Sequence, residues 1–280
     1  MIISIWSTKG GTGTSTVALA LAQYLQSNSK QVALIDANLY SSTLTAMLEV
    51  EETHYGFDRL FMYRETELIQ KAMRENWVKV KGLELMPGMK FPPDEVDTVW
   101  AKKVSENITG KEHIVIDAGW GLLNPLQKEL LLRSDFIVVV VTPLIFTYHR
   151  LWEHWQHEFF TPNHLSRKTG VIVNRHEGPV STKDIATLMN VVLLGDLPHE
   201  KHLMEQVNLG QINFSGKFMK RMGQAWNILK KHAESSSTIV PSAKNKITHI
   251  NYESNPVQPK MDAWPKSNTD DERREWTFEP

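Results

Sequence analysis

Several segments of this sequence are apolar at every position and are short enough to be single strands. The two most continuous, FIVVVVT at 136–142 and TGVIVN at 169–174, are separated by a segment with helical spacing. A strand without a polar face is buried on both faces, so alternation of such strands with helices indicates a mostly parallel sheet between two helical layers. The sequence therefore predicts a three-layer α/β fold, in which ligands bind at the carboxyl ends of the strands.

The same periodicity gives an order of elements for the whole chain. Strands are predicted over residues 2–7, 31–36, 83–87, 113–118, 136–142, 170–174 and 191–197. Helices are predicted over residues 15–27, 95–106, 126–132, 148–159, 181–189 and 214–232. After about residue 235 the sequence is rich in Ser, Asn, Pro and charge and has no sustained period, which favours a flexible tail. The predicted organisation is one domain over residues 1–234 and a tail over 235–280.

Composition narrows the class of protein. The chain has 280 residues, a formal net charge of −1 and no cysteine, which excludes disulfides, thiolate metal sites and cysteine nucleophiles. Its start, MIISIW, lacks the basic region of a signal peptide. The longest apolar run, 136–146, is interrupted by Thr142 and Pro143 and is too short to span a bilayer. We expect a cytoplasmic protein without a transmembrane segment.

The strongest motif is a glycine-rich segment between the first predicted strand and the first predicted helix. Glycines there let successive backbone N–H groups turn toward phosphate oxygens, and the helix that follows adds the positive end of its dipole. Ser15 is placed to offer its hydroxyl to Mg²⁺, and Thr16 to offer its hydroxyl to a phosphate oxygen. The predicted phosphate-binding residues are Lys9, Gly10, Gly11, Thr12, Gly13, Thr14, Ser15 and Thr16.

This segment resembles the deviant Walker A motif of the ParA/MinD superfamily of P-loop ATPases, and the similarity extends over roughly residues 1–232. The resemblance implies that ATP and Mg²⁺ are bound, and that Lys9 reaches across a sandwich homodimer to the partner's nucleotide. It also implies that Asp36 belongs to switch I, that Asp117 is the Walker B aspartate that holds Mg²⁺ through water, and that Gly119 and Gly121 lie in switch II. The remaining implied nucleotide-binding residues, at the adenine base, are Asn174, Arg175 and Pro198.

Two residues depart from the pattern of active ATPases. Thr14 stands where an ordinary P-loop has lysine, and Thr carries no charge to offset that of the phosphates. Asn38 stands where active relatives have a second switch I aspartate, and an amide can orient a water but cannot accept its proton. Both departures favour retained binding and slow hydrolysis, with Lys9, Asp36 and Asn38 as the candidate catalytic residues.

Two functions from different classes remain open. The Thr14 substitution, with the segments GFDRLF and KGLELMPGM, is similar to the TadZ/CpaE pilus-assembly branch, although we expect this protein to be without that branch's receiver-like domain. That reading predicts an ATP-dependent dimeric switch that positions or recruits an unidentified protein assembly. The alternative is an active ATPase that partitions DNA or positions a cell-division or flagellar system. Non-specific DNA binding is not favoured at this net charge, but it would use the basic residues Lys217, Lys220, Arg221, Lys230 and Lys231.

Overall fold

A single eight-stranded sheet organises the protein. The computed structural model describes residues 1–28, 31–51, 54–209 and 212–237. Within these residues the strand order is β3-β4-β2-β5-β1-β6-β7-β8, and every pairing is parallel except β3 with β4. The strands are β1 Ile2–Ser7, β2 Val32–Asp36, β3 Val78–Val80, β4 Leu83–Met86, β5 His113–Trp120, β6 Phe136–Val141, β7 Thr169–Val173 and β8 Val192–Asp196. The predicted mostly parallel α/β sheet is confirmed.

Helices connect the strands and cover the sheet. The first half of the chain contributes α1 Thr14–Asn28, α2 Thr43–Met47, α3 Gly56–Phe61, α4 Thr66–Glu75, α5 Thr98–Glu106 and α6 Pro125–Arg133. The second half contributes α7 Ile145–Tyr148, α8 Arg150–Trp155, α9 Thr182–Met189, α10 Leu203–Asn208 and α11 Gly216–Ser237. A π-helical segment, Gln156–Phe160, and a 3₁₀ turn, Leu165–Lys168, complete the described part.

Strand β6 explains why the sheet is buried on both faces. All six of its residues are buried. Its odd-numbered residues, Ile137, Val139 and Val141, belong to one hydrophobic core with α5 and α6. Its even-numbered residues belong to a second core with α1 and α11. Because successive side chains point to opposite faces, a strand that serves two cores must be apolar throughout.

The predicted single helix over residues 148–159 is wrong. The chain instead forms α7 and α8, which are separated at His149, and the π-helical segment follows α8 directly. The backbone of His149 leaves the helical region, with φ −109° and ψ −89°. Beyond it Trp152 and Phe160 pack on each other, and Phe160 also packs on Trp6. Burial of these rings overrides the uniform helical period that the sequence suggests.

The region between β2 and β5 holds elements that the sequence reading did not include. These are α2, α3, α4 and the antiparallel edge strand β3. The segment GFDRLF forms α3, and its first residue lies against the segment KGLELMPGM. Gly56 has φ +43°, and a Cβ placed on it would lie 2.0 Å from the carbonyl oxygen of Pro87. Phe57 N–H donates to that same oxygen (3.1 Å), so only glycine allows this approach.

The edges and ends of the fold have their own features. The pairing of β7 with β8 shifts register between Val171 and Ile172, which leaves Leu194 as the extra, fully buried residue of a bulge.

Helix α11 continues to Ser237, and the predicted tail lies outside the described residues from residue 238 onward. In the described ranges no helix is both long and apolar enough to cross a membrane.

Candidate nucleotide-binding site

The predicted phosphate-binding segment forms the turn between β1 and α1, at the carboxyl end of the central strand. Gly11 and Gly13 have positive φ angles of 80° and 93°. A Cβ placed on Gly13 would lie 2.3 Å from Nδ2 of Asn174, so glycine is required there for both conformation and space. A cavity of about 270 Å³ opens over this turn, lined by Gly10, Gly11, Gly13, Thr14, Ser15, Thr16, Asn38, Ser41, Thr43, Met47, Gly119, Trp120, Arg175 and Val207.

Three hydroxyl groups form hydrogen bonds within the glycine-rich turn and to the strand before it. The hydroxyl of Thr14 donates to Oγ of Ser7 (3.1 Å), and Ser7 in turn donates to the carbonyl of Lys9 (2.7 Å). The hydroxyls of Thr12 and Thr14 lie 3.3 Å apart. Thr12 and Thr14 are buried. The side chain at position 14 therefore completes the internal network of the loop, and no cationic group projects from that position into the cavity.

The residues predicted near the adenine base line a second, adjoining cavity. Asn174 directly follows β7 and donates from Nδ2 to the carbonyl of Thr12 (2.8 Å), while Arg175 donates to the carbonyl of Gly11 (3.2 Å). This cavity of about 290 Å³ shares Thr16, Arg175 and Val207 with the first one. Its other lining residues are Asn174, Pro198, His199, Glu200, Leu203 and Phe218.

Two buried carboxylates lie on adjacent strands, Asp36 at the end of β2 and Asp117 three residues before the end of β5. Asp36 and Asp117 are register partners in β2 and β5, and neither is exposed. Oδ2 of Asp36 accepts from the N–H and the hydroxyl of Thr45 (3.0 Å each), and Oδ1 of Asp117 accepts from Gly119 N–H (3.0 Å). Among the described residues, no donor of proper geometry reaches Oδ1 of Asp36 or Oδ2 of Asp117.

Burial governs the ionisation of this pair. Desolvation, and then the charge of Asp117, raise the pKa of Asp36 to about 8. Desolvation raises the pKa of Asp117 to about 6, although the side chain of Ser15 and the N–H of Gly119 act to lower it. Ser15 is thus close enough to influence Asp117 without forming a well-oriented hydrogen bond to its free oxygen. Two carboxylates held this way bind a proton strongly unless a cation takes its place.

The two predicted switch segments pack directly on each other. Asn38 is buried, and a Cβ placed on Gly119 would lie 2.8 Å from Cγ of the Asn38 side chain. Gly119 has φ +68°, which also favours glycine. The Asn38 side chain lines the first cavity beside Ser41. The structure therefore brings Asp36, Asn38 and Asp117 to one side of the glycine-rich turn, where the sequence predicts them.

Lys9 lies at the outer rim of the turn. Its Nζ is 5.2 Å from the ring centroid of Phe146, in a cation–π arrangement. The side chain of Phe146 is 45% exposed, and its neighbour Ile145 is 66% exposed. The carbonyl of Thr147 accepts from the hydroxyl of Thr8 (2.9 Å), which ties α7 to the glycine-rich turn. In the single chain, Lys9 points toward this surface and is not among the residues that line the phosphate cavity.

Trp120 is a cavity residue that the sequence reading missed. It ends β5 between two glycines with positive φ, Gly119 (68°) and Gly121 (61°). Its pyrrole edge packs on the glycine-rich turn, since a Cβ placed on Gly10 would lie 3.3 Å from Nε1. A large aromatic residue between two glycines was the available signal, but only the fold turns it toward the loop.

The donor set fits a nucleotide and a hard divalent cation. The turn has two glycines of positive φ and lines a cavity at the start of α1, where backbone N–H groups can bind phosphate. The free carboxylate oxygens of Asp36 and Asp117, with the nearby Ser15 hydroxyl, are oxygen ligands of the kind that Mg²⁺ prefers. A larger cavity of about 950 Å³ lies elsewhere, near the first residues of β7 and β8, and has no such glycine-rich turn.

Comparisons with known proteins agree with this geometry. The profile of the CobQ/CobB/MinD/ParA nucleotide binding domain matches residues 3–214. An uncharacterized ATP-binding protein of Methanocaldococcus jannaschii is 24% identical over 216 residues, which cover 74% of this chain and 78% of that protein.

Solved structures of low sequence identity share the fold. The septum site-determining protein MinD of Pyrococcus horikoshii, complexed with Mg-ADP, has a TM-score of 0.66 at 22% identity, over 85% of this chain and 99% of that one. A putative plasmid partition protein of Borrelia burgdorferi bound to AMPPNP has a TM-score of 0.64 at 22% identity, over 82% of this chain and 98% of that one. Because the family profile spans the sheet and the glycine-rich turn, the chain belongs to the CobQ/CobB/MinD/ParA nucleotide-binding domain family.

Proposed function

We propose that this protein is a Mg-ATP-dependent dimeric switch with slow hydrolysis, which positions or recruits a partner assembly. One observation carries the proposal. The loop closes its own hydrogen bonds through Thr14 and Ser7, while two buried carboxylates beside it keep free oxygens. Such a site favours a bound metal–nucleotide pair and has no lysine at position 14 to stabilise charge during phosphoryl transfer.

The residues divide into three roles under this proposal. The loop backbone cradles the phosphates through Gly10, Gly11, Thr12 and Gly13, and Thr16 adds its hydroxyl. Ser15, Asp36 and Asp117 serve Mg²⁺. Asn174, Arg175 and Pro198 line the cavity for the base. When bound, Mg²⁺ neutralises charge on the phosphates and replaces the proton that the two carboxylates otherwise hold.

Slow hydrolysis follows from the groups at the terminal phosphate. Asn38 lines the cavity where a water-activating carboxylate would stand in an active enzyme, and an amide cannot accept a proton. Asp36 is a carboxylate, but its assigned role toward the metal and its buried position leave it little freedom to act as a base. Arg175 lines the cavity, but its guanidinium donates to the carbonyl of Gly11. Lys9 is the second cation for transition-state charge, and it is available only if it leaves Phe146.

Dimerisation is supported by the surface around Lys9. Five large apolar residues at the end of β5 and in the segments after β5 and β6 are at least 40% exposed: Trp120, Leu123, Leu144, Ile145 and Phe146. Large apolar side chains gathered beside a binding site indicate a surface that another protein covers. A second copy of the chain, docked there with bound nucleotide, would bury these residues and bring Lys9 to the opposite site.

A partner assembly is the least specific part of the proposal. Similarity to the MinD chain in the MinC:MinD cell division complex of Aquifex aeolicus (TM-score 0.63, 22% identity) supports an adaptor role, since that relative is solved with a protein partner. The TadZ/CpaE reading, with a pilus or secretion machine as partner, draws support from the two segments that resemble that branch. They pack together at Gly56 and Pro87, as a functional unit would.

The decisive experiment asks which nucleotide the protein holds and in what oligomeric state. The full chain is incubated with radiolabelled ATP and Mg²⁺, separated by size, and the bound nucleotide is identified. We expect intact ATP on a dimer, and a Lys9→Ala variant that binds ATP but stays monomeric. A wild-type protein that remains monomeric at saturating Mg-ATP would refute the switch. Rapid appearance of ADP on the protein would refute slow hydrolysis.

The second candidate is an active ATPase that partitions DNA or positions a cell-division or flagellar system. The observation in its favour is that Lys217, Lys220, Lys230 and Lys231 are exposed on α11, whereas Arg221 is engaged with Asp196 (3.3 Å). DNA binding through such lysines would weaken steeply as salt rises. We expect no stimulation of ATP turnover by duplex DNA at low salt. Stimulation that is lost in a Lys217→Ala, Lys220→Ala double variant would favour this candidate.

A further inference from the structure

An indole N–H is among the polar groups at the phosphate cavity that the proposed roles leave unused. The indole N–H of Trp120 lies beside Gly10, whose backbone belongs to the phosphate-binding turn. The carbonyl of Trp120 accepts from Nε2 of Gln127 (3.3 Å), whereas its indole N–H makes no hydrogen bond to the described residues. Trp120 is 40% exposed and lines the cavity. Its indole N–H can therefore donate to an acceptor that occupies the cavity.

The backbone around Trp120 is held from several sides. Gly121 N–H donates to the carbonyl of Ser7 (2.9 Å), and the carbonyl of Gly121 accepts from the indole N–H of Trp6 (2.5 Å). Trp120 itself is the register partner of Ser7 at the end of β5. These contacts fasten the Trp120 segment to β1 immediately before the glycine-rich turn. The backbone of Trp120 is therefore held by the sheet close to the turn on which its ring packs.

The chemistry of the cavity identifies the acceptor class. Thr14 gives its hydroxyl to Ser7, so the loop has no lysine ammonium at that position and lacks one charged donor. A neutral indole N–H donates a single hydrogen bond and does not accept. Opposite a phosphate oxygen it would form a charge-assisted bond, which is among the stronger kinds. Trp120 ends β5 and lines the cavity together with Asn38 and Gly119, and the proposed function places the terminal phosphate beside Asn38.

We propose that Trp120 is a specificity-determining residue that donates its indole N–H to the terminal phosphate of a nucleoside triphosphate. The proposal rests on the nucleotide-binding function proposed above and names one contact within it. Trp120 thereby takes over part of the role that Thr14 leaves open. It also couples the identity of the nucleotide to the exposed apolar surface beside Lys9, of which the same ring is a part.

The test compares triphosphate and diphosphate binding to the full chain. A non-hydrolysable ATP analogue and ADP, each with Mg²⁺, are titrated by calorimetry into wild type, Trp120→Phe and Trp77→Phe. Trp77 is half-buried between α4 and β3, outside the cavity, and serves as the matched control. We expect Trp120→Phe to lose about ten-fold in affinity for the analogue, with little change for ADP and none for Trp77→Phe. Because the ring is part-exposed, thermal unfolding should show the variant folded.

A spectroscopic readout separates a direct contact from a structural effect. In ¹⁵N-labelled protein, the indole resonance missing from Trp120→Phe identifies Trp120, and it should shift with the analogue but not with ADP. Equal losses for both nucleotides, or an unmoved resonance, would overturn the role of Trp120 while leaving nucleotide binding intact. If wild type binds neither nucleotide, the proposed function itself fails, and this contact fails with it.

Discussion

The two sides of the phosphate cavity differ in how complete they are without a ligand. On the loop side, Ser7, Thr12 and Thr14 satisfy one another and the Lys9 carbonyl. On the carboxylate side, Asp36 and Asp117 each retain an oxygen without a donor in the described structure. A buried polar atom without a partner is costly, and a buried charge more so. The loop therefore satisfies its own polar groups without a ligand, whereas the carboxylate side leaves two oxygens for a ligand to satisfy.

The largest expected effect comes from the carboxylate side. Asp117→Asn keeps an oxygen for Gly119 N–H but removes the charge that would hold the metal. We expect Mg²⁺-dependent ATP affinity to fall roughly 100-fold, the upper end for a residue that acts on the metal through water. Isothermal titration with Mg²⁺ and with EDTA measures this. Asp97→Asn, at the first turn of α5, is the control and should leave both affinities unchanged. Equal loss in EDTA would contradict a metal role.

The glycine-rich turn should be disturbed by a substitution at Gly13. Gly13→Ala introduces a Cβ 2.3 Å from the Asn174 amide in a left-handed backbone, so the loop must move. We expect a loss of about 1–3 kcal/mol in the free energy of unfolding and a marked loss of nucleotide affinity. Gly82 also has a positive φ, but no atom lies within 4 Å of a Cβ placed on it, so Gly82→Ala is the matched control. That variant should show only the conformational penalty, about 1 kcal/mol, by urea denaturation. Equal behaviour of the two variants would mean that Asn174 imposes no constraint.

The pH dependence of stability should report the unsatisfied carboxylates. A carboxyl with a raised pKa binds its proton more tightly in the folded than in the unfolded state, so stability falls as pH rises. Because the pKa of Asp36 is raised to about 8 and that of Asp117 to about 6, we expect the melting temperature in EDTA to fall as the pH rises from 5 to 8. Asp36→Asn should flatten this slope, and saturating Mg²⁺ should reduce it. A slope unchanged in Asp36→Asn would place its source elsewhere.

The smallest effect is expected on the loop side. Thr14→Val removes the hydrogen bond to Ser7 at nearly constant volume. We expect about 1 kcal/mol less stability and less than a roughly threefold change in ATP affinity, because the hydroxyl serves the internal network of the loop. Thr14→Ser should retain both properties. A large, selective loss of ATP binding in Thr14→Val would instead assign its hydroxyl to the phosphate, and the contrast between the two sides would narrow.

Local pattern and chain order were enough to predict most of the sheet. The apolar run of β6 and the strand, glycine-rich turn and helix order around Gly13 are local signals, and the structure confirms both elements. Asp36 and Asp117 were expected at strand ends, and the parallel pairing of β2 with β5 makes them neighbours, although β5 continues to Trp120. That each keeps one oxygen without a donor was not predictable, because it depends on how Thr45 and Gly119 pack around them.

The elements and residues that the sequence did not predict correctly share a physical cause. The break at His149 and the π-helical segment after Trp155 serve the packing of Trp6 and Phe160, which are distant in sequence. The short helices α2 and α3 have too few turns to establish a period. The sequence did not identify Trp120 as a cavity residue, because the direction of its side chain depends on the positive φ angles of its two glycine neighbours. In each case long-range contact decides what local pattern leaves open.

The bulge in β8 has a consequence for the protein at high concentration. A straight outer strand offers a row of backbone groups on which another chain can add a strand of its own, and uncontrolled stacking of this kind leads to fibrils. The extra residue Leu194 is drawn into the interior and Gly195 takes φ +154°, so the rim bends at this point. The distortion therefore makes β8 a poorer template for pairing with a strand of another chain.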